Sequence, residues 1–274
     1  FVSGEETVKV DESEFKVSAE CAVILSGNSS LKRMTPKALQ KGIEAGVDVK
    51  NEPRLILNAA TSDKISIFTK NGNMYILPVE SIPEGKVKEG GKTLNAIIAG
   101  VDKSEEISNI FLFKNYSGNM IFVTKKGMVK KNALEEFNVK KSKILACGLK
   151  DGDSIVYCDI ENEKTNMLAI TKKAMSINIK KDEISLMGRA AKGVGIIKLA
   201  PGDEIVMSQQ INGSGSMVLT ITNKGYAKKT PVSEYDEQGR NGKGLKTFVL
   251  GGETGDEIVS AMVIELPCSV TVIQ

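Results

Sequence analysis

Apolar residues in this chain come in short blocks, each closed by a polar turn of the type Thr-Lys-x-Gly and followed by a second strand that tends to end in paired cations. The pattern is clearest at Met120-Ile121-Phe122-Val123-Thr124-Lys125-Lys126-Gly127-Met128-Val129-Lys130-Lys131. It returns from Met217 through Thr222-Asn223-Lys224-Gly225 to Lys228-Lys229, and with altered detail at 65–77 and 167–179. A degraded copy at 23–33 keeps its cations, Lys32-Arg33, in register. Turn entries at Ser26, Thr69, Thr124, Thr171 and Thr222 lie 43 to 55 residues apart. A period of that size marks a solenoid, propeller or array whose units bury their faces against neighbours.

After each hairpin the chain runs through a Gly- and Lys-rich loop, a short apolar strand, an acid-led turn and another strand. The loops are 40–51, 84–93, 138–143, 188–195 and 238–246, and the acidic turns include Asp151-Gly152-Asp153 and Pro201-Gly202-Asp203-Glu204. Short strands at regular spacing predict an all-β fold of roughly four strands per unit. We expect one repeat domain over 1–274, with an entry strand or arm at 1–20 and hairpins near 22–35, 64–80, 119–131, 166–180 and 216–230. Val270–Gln274 reads as the opening strand of a sixth copy at 269–274. The chain is therefore expected to be a piece of a longer polypeptide, or to complete a sixth unit with N-terminal residues. Helix should be scarce: 36–45 has helical composition, but Gly42 and Gly46 leave room for a turn or two. Glycine at the hairpin turn supplies a positive φ without a side-chain clash. Ala174 replaces it in the fourth copy, which implies a different turn or a strained one.

Composition narrows the chemistry. The chain has 274 residues and no histidine, which removes the commonest general base and the usual nitrogen ligand for zinc. Cys21, Cys147, Cys158 and Cys268 form no C-x-x-C pair, so buried free thiols in a reducing compartment are expected. No apolar run approaches the roughly 20 residues of a membrane helix, and no signal-peptide pattern opens the chain, which favours a cytoplasmic location away from membranes. Gly85–Thr93 looks like a phosphate-binding P-loop, but five residues rather than four precede Gly91-Lys92-Thr93, and no βαβ context surrounds it. The acids recur once per repeat before a strand, as solvated turns do, so no catalytic residues, metal site or cofactor are assigned.

The cations are different because they recur in register with the fold. Lys32, Arg33, Lys130, Lys131, Lys228 and Lys229 end the second hairpin strand, Lys180 and Lys181 lie just past it, and Lys125, Lys126, Lys172 and Lys173 occupy turns. Loops add Lys92, Lys140, Lys141, Arg189, Lys192, Arg240 and Lys243. Lysines at sheet edges also serve to discourage aggregation. In a radial array, however, equivalent positions fall on one rim. A cationic belt on a chain of net charge only +3 suits a polyanion following a curved track, such as duplex DNA held by its phosphates.

Two strings carry a resemblance. Gly225-Tyr226-Ala227-Lys228-Lys229-Thr230-Pro231, with Gln238-Gly239-Arg240-Asn241-Gly242-Lys243-Gly244, and Gly188-Arg189-Ala190-Ala191-Lys192-Gly193-Val194 resemble the C-terminal domain of the A subunit of bacterial type IIA topoisomerases, the gyrase and topoisomerase IV family. The resemblance runs from about residue 20 to the end. It implies a six-bladed β-pinwheel, a propeller variant whose blades exchange strands, with double-stranded DNA bent around a basic rim. It also implies a bacterial, nucleoid-associated parent enzyme, ATP-dependent, whose cleavage region lies N-terminal in the same polypeptide and whose ATPase is a separate B subunit. Nothing in this chain matches the cleavage tyrosine. The gyrase box of the first blade corresponds to Gln40-Lys41-Gly42-Ile43-Glu44-Ala45-Gly46, where Ile43 and Glu44 replace Gly and cation, which favours a topoisomerase IV-like parent over gyrase. The rival reading is a propeller-like protein-interaction scaffold without DNA binding. An enzyme acting on a phosphorylated substrate is disfavoured by the missing histidine.

Overall fold

The computed structural model describes residues 18–45, 53–86, 88–212, 215–265 and 267–268. Residues 1–17 of the entry strand or arm expected at 1–20, and the opening of a sixth copy at 269–274, lie outside the described residues. The first repeat forms β1 (Glu20–Ser26), β2 (Ser30–Met34) and β3 (Pro53–Ala60); the second forms β4 (Lys64–Thr69), β5 (Asn73–Pro78), β6 (Lys92–Thr93) and β7 (Ile107–Phe111). The third has β8 (Asn119–Thr124), β9 (Met128–Ala133), β10 (Lys143–Leu145) and β11 (Ile155–Ile160). In the fourth are β12 (Asn166–Thr171), β13 (Met175–Lys180), β14 (Val194–Gly195) and β15 (Ile205–Ile211). The fifth has β16 (Met217–Thr222), β17 (Ala227–Pro231), β18 (Leu245–Lys246) and β19 (Ile258–Ile264).

Each repeat gives one strand away. The sheets run β3-β1-β2-β6, β10-β5-β4-β7, β11-β8-β9-β14 and β15-β12-β13-β18, so a strand from each of repeats 2 to 5 completes the preceding sheet. The fifth sheet, β17-β16-β19, has three strands among the described residues. These five sheets are antiparallel throughout their named strands. The last strands of successive repeats, β7, β11, β15 and β19, pack against one another in order. Side chains stitch them together: Asn109 Nδ2 donates to Cys158 O at 2.9 Å and Gln210 Nε2 to Ile160 O at 2.8 Å. Those strands line the centre, which places the donated strands β6, β10, β14 and β18 at the outer edge.

The recurring Thr-x-x-Gly turn has a local cause. Gly72, Gly127 and Gly225 take φ of 78°, 78° and 80°, and the amide after each glycine donates to the entry threonine's hydroxyl at 3.2 Å. Ala174 holds the same turn at φ 60°, with Met175 N donating to Thr171 Oγ1 at 3.1 Å. The fourth turn is therefore the same turn, strained. In the degraded first copy Ser29 takes φ 59° and the hydroxyl of Ser26 is buried without a partner among the described residues.

Helix exceeds expectation at one place. α1 (Pro36–Ala45) spans 10 residues, against the one or two turns expected. Thr35 Oγ1 accepts from Ala38 N at 3.3 Å, and Pro36 sits at the first position, where its missing N–H costs nothing. Gly42 is buried, and α1 packs against β1, so tertiary contact offsets its poor propensity. α2 (Leu94–Ile97) is a single turn. Aliphatic side chains fill the space between neighbouring sheets, for example Ile121, Val123 and Val129 of one against Met167, Ala169 and Ile177 of the next. A cluster of Phe68, Phe122 and Phe137 occupies the preceding interface.

Candidate nucleic-acid interface

Read from sequence alone, the candidate cations form one belt; the structure divides them into three groups. The first is buried. Lys32, Lys130, Lys131 and Lys181 lie in the interior, Lys130 with 1 % of its surface exposed. Lys130 Nζ donates to Gly188 O at 3.2 Å and Arg189 O at 2.8 Å, and Lys32 Nζ donates to Lys86 O at 3.1 Å and Glu89 O at 2.6 Å. Both lysines thus grip the loop that precedes a donated strand. The Gly- and Lys-rich segment that imitates a P-loop is one of these loops. Burial pushes the ammonium pKa values of Lys32, Lys130 and Lys181 down from their ordinary value. Lys181 Nζ donates to Asn162 O at 2.5 Å, and Lys131 pairs with Glu161 at 2.6 Å.

The second group sits among acids. Lys125 pairs with Glu204 at 3.1 Å and Lys172 with Glu257 at 2.7 Å, each joining a hairpin turn to the acidic turn of the next repeat. The hydrogen bond from Lys172 to the Glu257 carboxylate raises the lysine's pKa. Lys126 donates to Asp151 O, and Lys173 to Pro201 O at 2.6 Å. These four cations and the acidic turns occupy the same end of the blades and cancel locally. Arg33 and Lys180 also have carboxylate partners, Glu84 at 3.5 Å and Glu237 at 3.2 Å.

The third group follows the donated strands. Lys92 lies in β6, Lys140 and Lys141 precede β10, Lys192 precedes β14, and Lys243 precedes β18; they line the outer edge. Lys143 in β10 and Lys246 in β18 are exposed as well, although sequence did not single them out. The signal that would have found them is the exchange itself, since they fall on the residues that pair as edge strands with β5 and β13. Arg189 and Arg240 occupy the same point of their loops. Lys228 and Lys229 are exposed on β17, unlike Lys130 and Lys131 at the same register, because no described strand covers β17; Lys228 Nζ reaches Thr247 O at 3.0 Å.

Glycine makes this edge possible. Gly193 (φ 84°) and Gly244 (φ 77°) immediately precede the donated strands β14 and β18, and a Cβ at either would meet a carbonyl of the neighbouring strand, Val129 O or Ser176 O, at 2.6 Å. Gly91 approaches Leu31 O in the same way, at 2.7 Å. The Gly-Arg-x-x-Lys-Gly wording of these loops therefore couples close backbone crossing to a lysine on the outer edge.

Comparison with known families bears on the whole repeat. The model of the DNA gyrase C-terminal domain, beta-propeller, matches residues 63–113, 118–160, 165–206 and 216–265, one match for each of the second to fifth repeats. The chain belongs to this gyrase C-terminal domain family. As a member of it, the chain is 30% identical over 254 residues to the DNA gyrase A subunit of Chlamydia trachomatis and 28% identical over 250 residues to that of Staphylococcus epidermidis. These alignments cover 88% and 86% of this chain but only 30% and 28% of those proteins. Among solved structures, the C-terminal domain of DNA topoisomerase IV matches with a TM-score of 0.82 and 23% identity, covering 92% of this chain and 79% of that one. A gyrase A C-terminal domain matches at 0.62 with 19% identity, covering 90% and 83%. The propeller-like family fold thus carries strand exchange, and among the described residues no helix is long and apolar enough to cross a membrane.

Proposed function

We propose that this domain binds duplex DNA without reading its sequence and bends it along the outer edge of the blades. The observation that carries this reading is the placement of Lys92, Lys140, Lys141, Lys192 and Lys243 on or beside donated strands, one donated strand per completed sheet. Phosphates spaced along a curved duplex meet such a track without base contacts. Bending costs a few kcal/mol, which further contacts offset, so a long duplex binds better than a short one. The domain works within the A subunit of a type IIA topoisomerase, beside an N-terminal cleavage region and an ATPase B subunit, on DNA in the bacterial cytoplasm. It needs no cofactor of its own.

A topoisomerase IV-like parent is our preferred reading, on the strength of Ile43 and Glu44 in the box segment, of which Gln40–Ala45 lies in α1. The gyrase names of the relatives favour the second reading, a divergent gyrase. Mobility shifts with a long duplex over rising salt test the binding: a shift at about 50 mM that fades by about 200 mM is expected, and absence of any shift at low salt refutes it. A topology assay on the parent enzyme separates the paralogues. Relaxation and decatenation without negative supercoiling support the first, and introduction of negative supercoils the second.

A further inference from the structure

Between the outer edges of the second and third sheets lies a cleft of about 490 Å³, lined among others by Lys141, Lys143, Leu145, Glu136 and Arg189. Three of those residues are cations. The one acid is already engaged inward: Glu136 Oε2 accepts from Arg189 N at 3.1 Å and Oε1 from Asn132 Nδ2 at 3.2 Å. Arg189 is held by its backbone, since its carbonyl accepts from Lys130 Nζ at 2.8 Å and from Gly148 N at 3.0 Å. One nitrogen of its guanidinium, Nη1, is buried without a hydrogen-bond partner among the described residues. One junction further on, the matching Arg240 Nη1 donates to Gly195 O at 3.1 Å. The residue at that place in β10 is Leu145, which is 46% exposed at the cleft.

The Lys143 ammonium stands over the Tyr75 ring, 5.1 Å from its centroid, which leaves an unmatched guanidinium donor, the exposed Lys141 and an apolar wall as a seat for an anion attached to something apolar. We infer that this cleft seats one sugar-phosphate unit of the duplex backbone, with Arg189 and Lys141 on the phosphate and Leu145 against the deoxyribose. This rests on the proposed function and adds to it a fixed anchor on an otherwise diffuse track. Rotation of the Arg189 fork turns its free donor to the cleft opening, where a phosphate oxygen satisfies it.

The test is duplex affinity by fluorescence anisotropy for the whole chain, comparing Arg189→Gln with Lys243→Gln, a change of equal charge on the exposed edge. We expect a loss of about 10-fold for Arg189→Gln, as for a hydrogen bond to a charged group, and about 2-fold for Lys243→Gln, with melting temperatures unchanged. If Arg189→Gln lowers the melting temperature, Lys141→Gln replaces it in the same contrast, its side chain being exposed. Equal losses for the two positions overturn the anchor while leaving edge binding intact; no DNA binding by the unaltered chain refutes the proposed function itself. Inorganic phosphate in a melting assay supplies the remaining arm. If phosphate stabilises the unaltered chain but not Arg189→Gln, and both bind duplex equally, the cleft serves a free anion and the backbone assignment falls.

Discussion

The ammonium group of Lys130 donates to the carbonyl oxygen of Arg189 at 2.8 Å, so a buried cation in one repeat positions a cation-bearing loop contributed by the next. Lys130→Glu should therefore act on the fold before it acts on any ligand. An uncompensated carboxylate facing two carbonyls costs about 3–5 kcal/mol, whereas Lys130→Met keeps the packing of the stem and loses about 1–3 kcal/mol with its two charge-assisted hydrogen bonds, Gly188 O and Arg189 O keeping their backbone donors Ala191 N and Gly148 N. Urea unfolding should rank the two in that order, with DNA affinity per folded molecule little changed in Lys130→Met.

The donated strand depends on glycine. Gly193→Ala forces a Cβ to within 2.6 Å of Val129 O at a φ of 84°, which should displace β14 and destabilise the chain by about 2–3 kcal/mol. Ala174→Gly is the contrasting case. Relief of a left-handed alanine is worth about 1 kcal/mol, but the lost methyl is buried against Phe248 and Ile258 and is worth about 0.8 kcal/mol. The two terms nearly cancel, and thermal melts should show little shift.

Acid should loosen the link between β9 and the end of β11. Burial alone would raise the Glu161 pKa, but hydrogen bonds from Lys131 and Asn119 hold it below the ordinary carboxylate value. A depressed folded-state pKa gives stability that is present above the unfolded value and lost as pH falls through the folded one. Glu161→Gln should accordingly lose stability at neutral pH and flatten the acid limb of the stability curve below about pH 4.5. An acid limb identical to that of the unaltered chain would show that this pair contributes nothing to it.

Turn lysines should matter little to DNA. Lys125→Gln and Lys172→Gln remove half-exposed partners of Glu204 and Glu257, so neither should shift the melting temperature appreciably. The slope of log affinity against log salt should equal that of the unaltered chain, whereas a lost phosphate contact such as Lys243 would flatten it by about 0.9. A 10-fold loss in either variant would place DNA on the turn end of the blades instead of the outer edge.

The repeat, its hairpins and its turns were legible in the sequence because they rest on local rules: alternating burial, a threonine hydroxyl closing the turn, and glycine at positive φ. Strand exchange was legible only through family resemblance, since β6, β14 and β18 are two residues long and carry no periodicity. That gap explains the cations. Lys130 and Lys243 look alike in sequence, but one lies beneath a donated loop and the other in front of a donated strand. Lys143 and Lys246 went unnoticed for the same reason. The length of α1 was hidden by Gly42, whose burial comes from contact with the rest of the fold.

The central claim, that cations on the donated strands hold duplex phosphates, is tested most directly by the salt dependence of binding in a Lys92→Gln, Lys141→Gln, Lys192→Gln, Lys243→Gln variant. Each lost phosphate contact should flatten the plot of log affinity against log salt by about 0.9, so the slope should shrink by about 3–4 with the melting temperature unchanged. A slope equal to that of the unaltered chain would contradict the account.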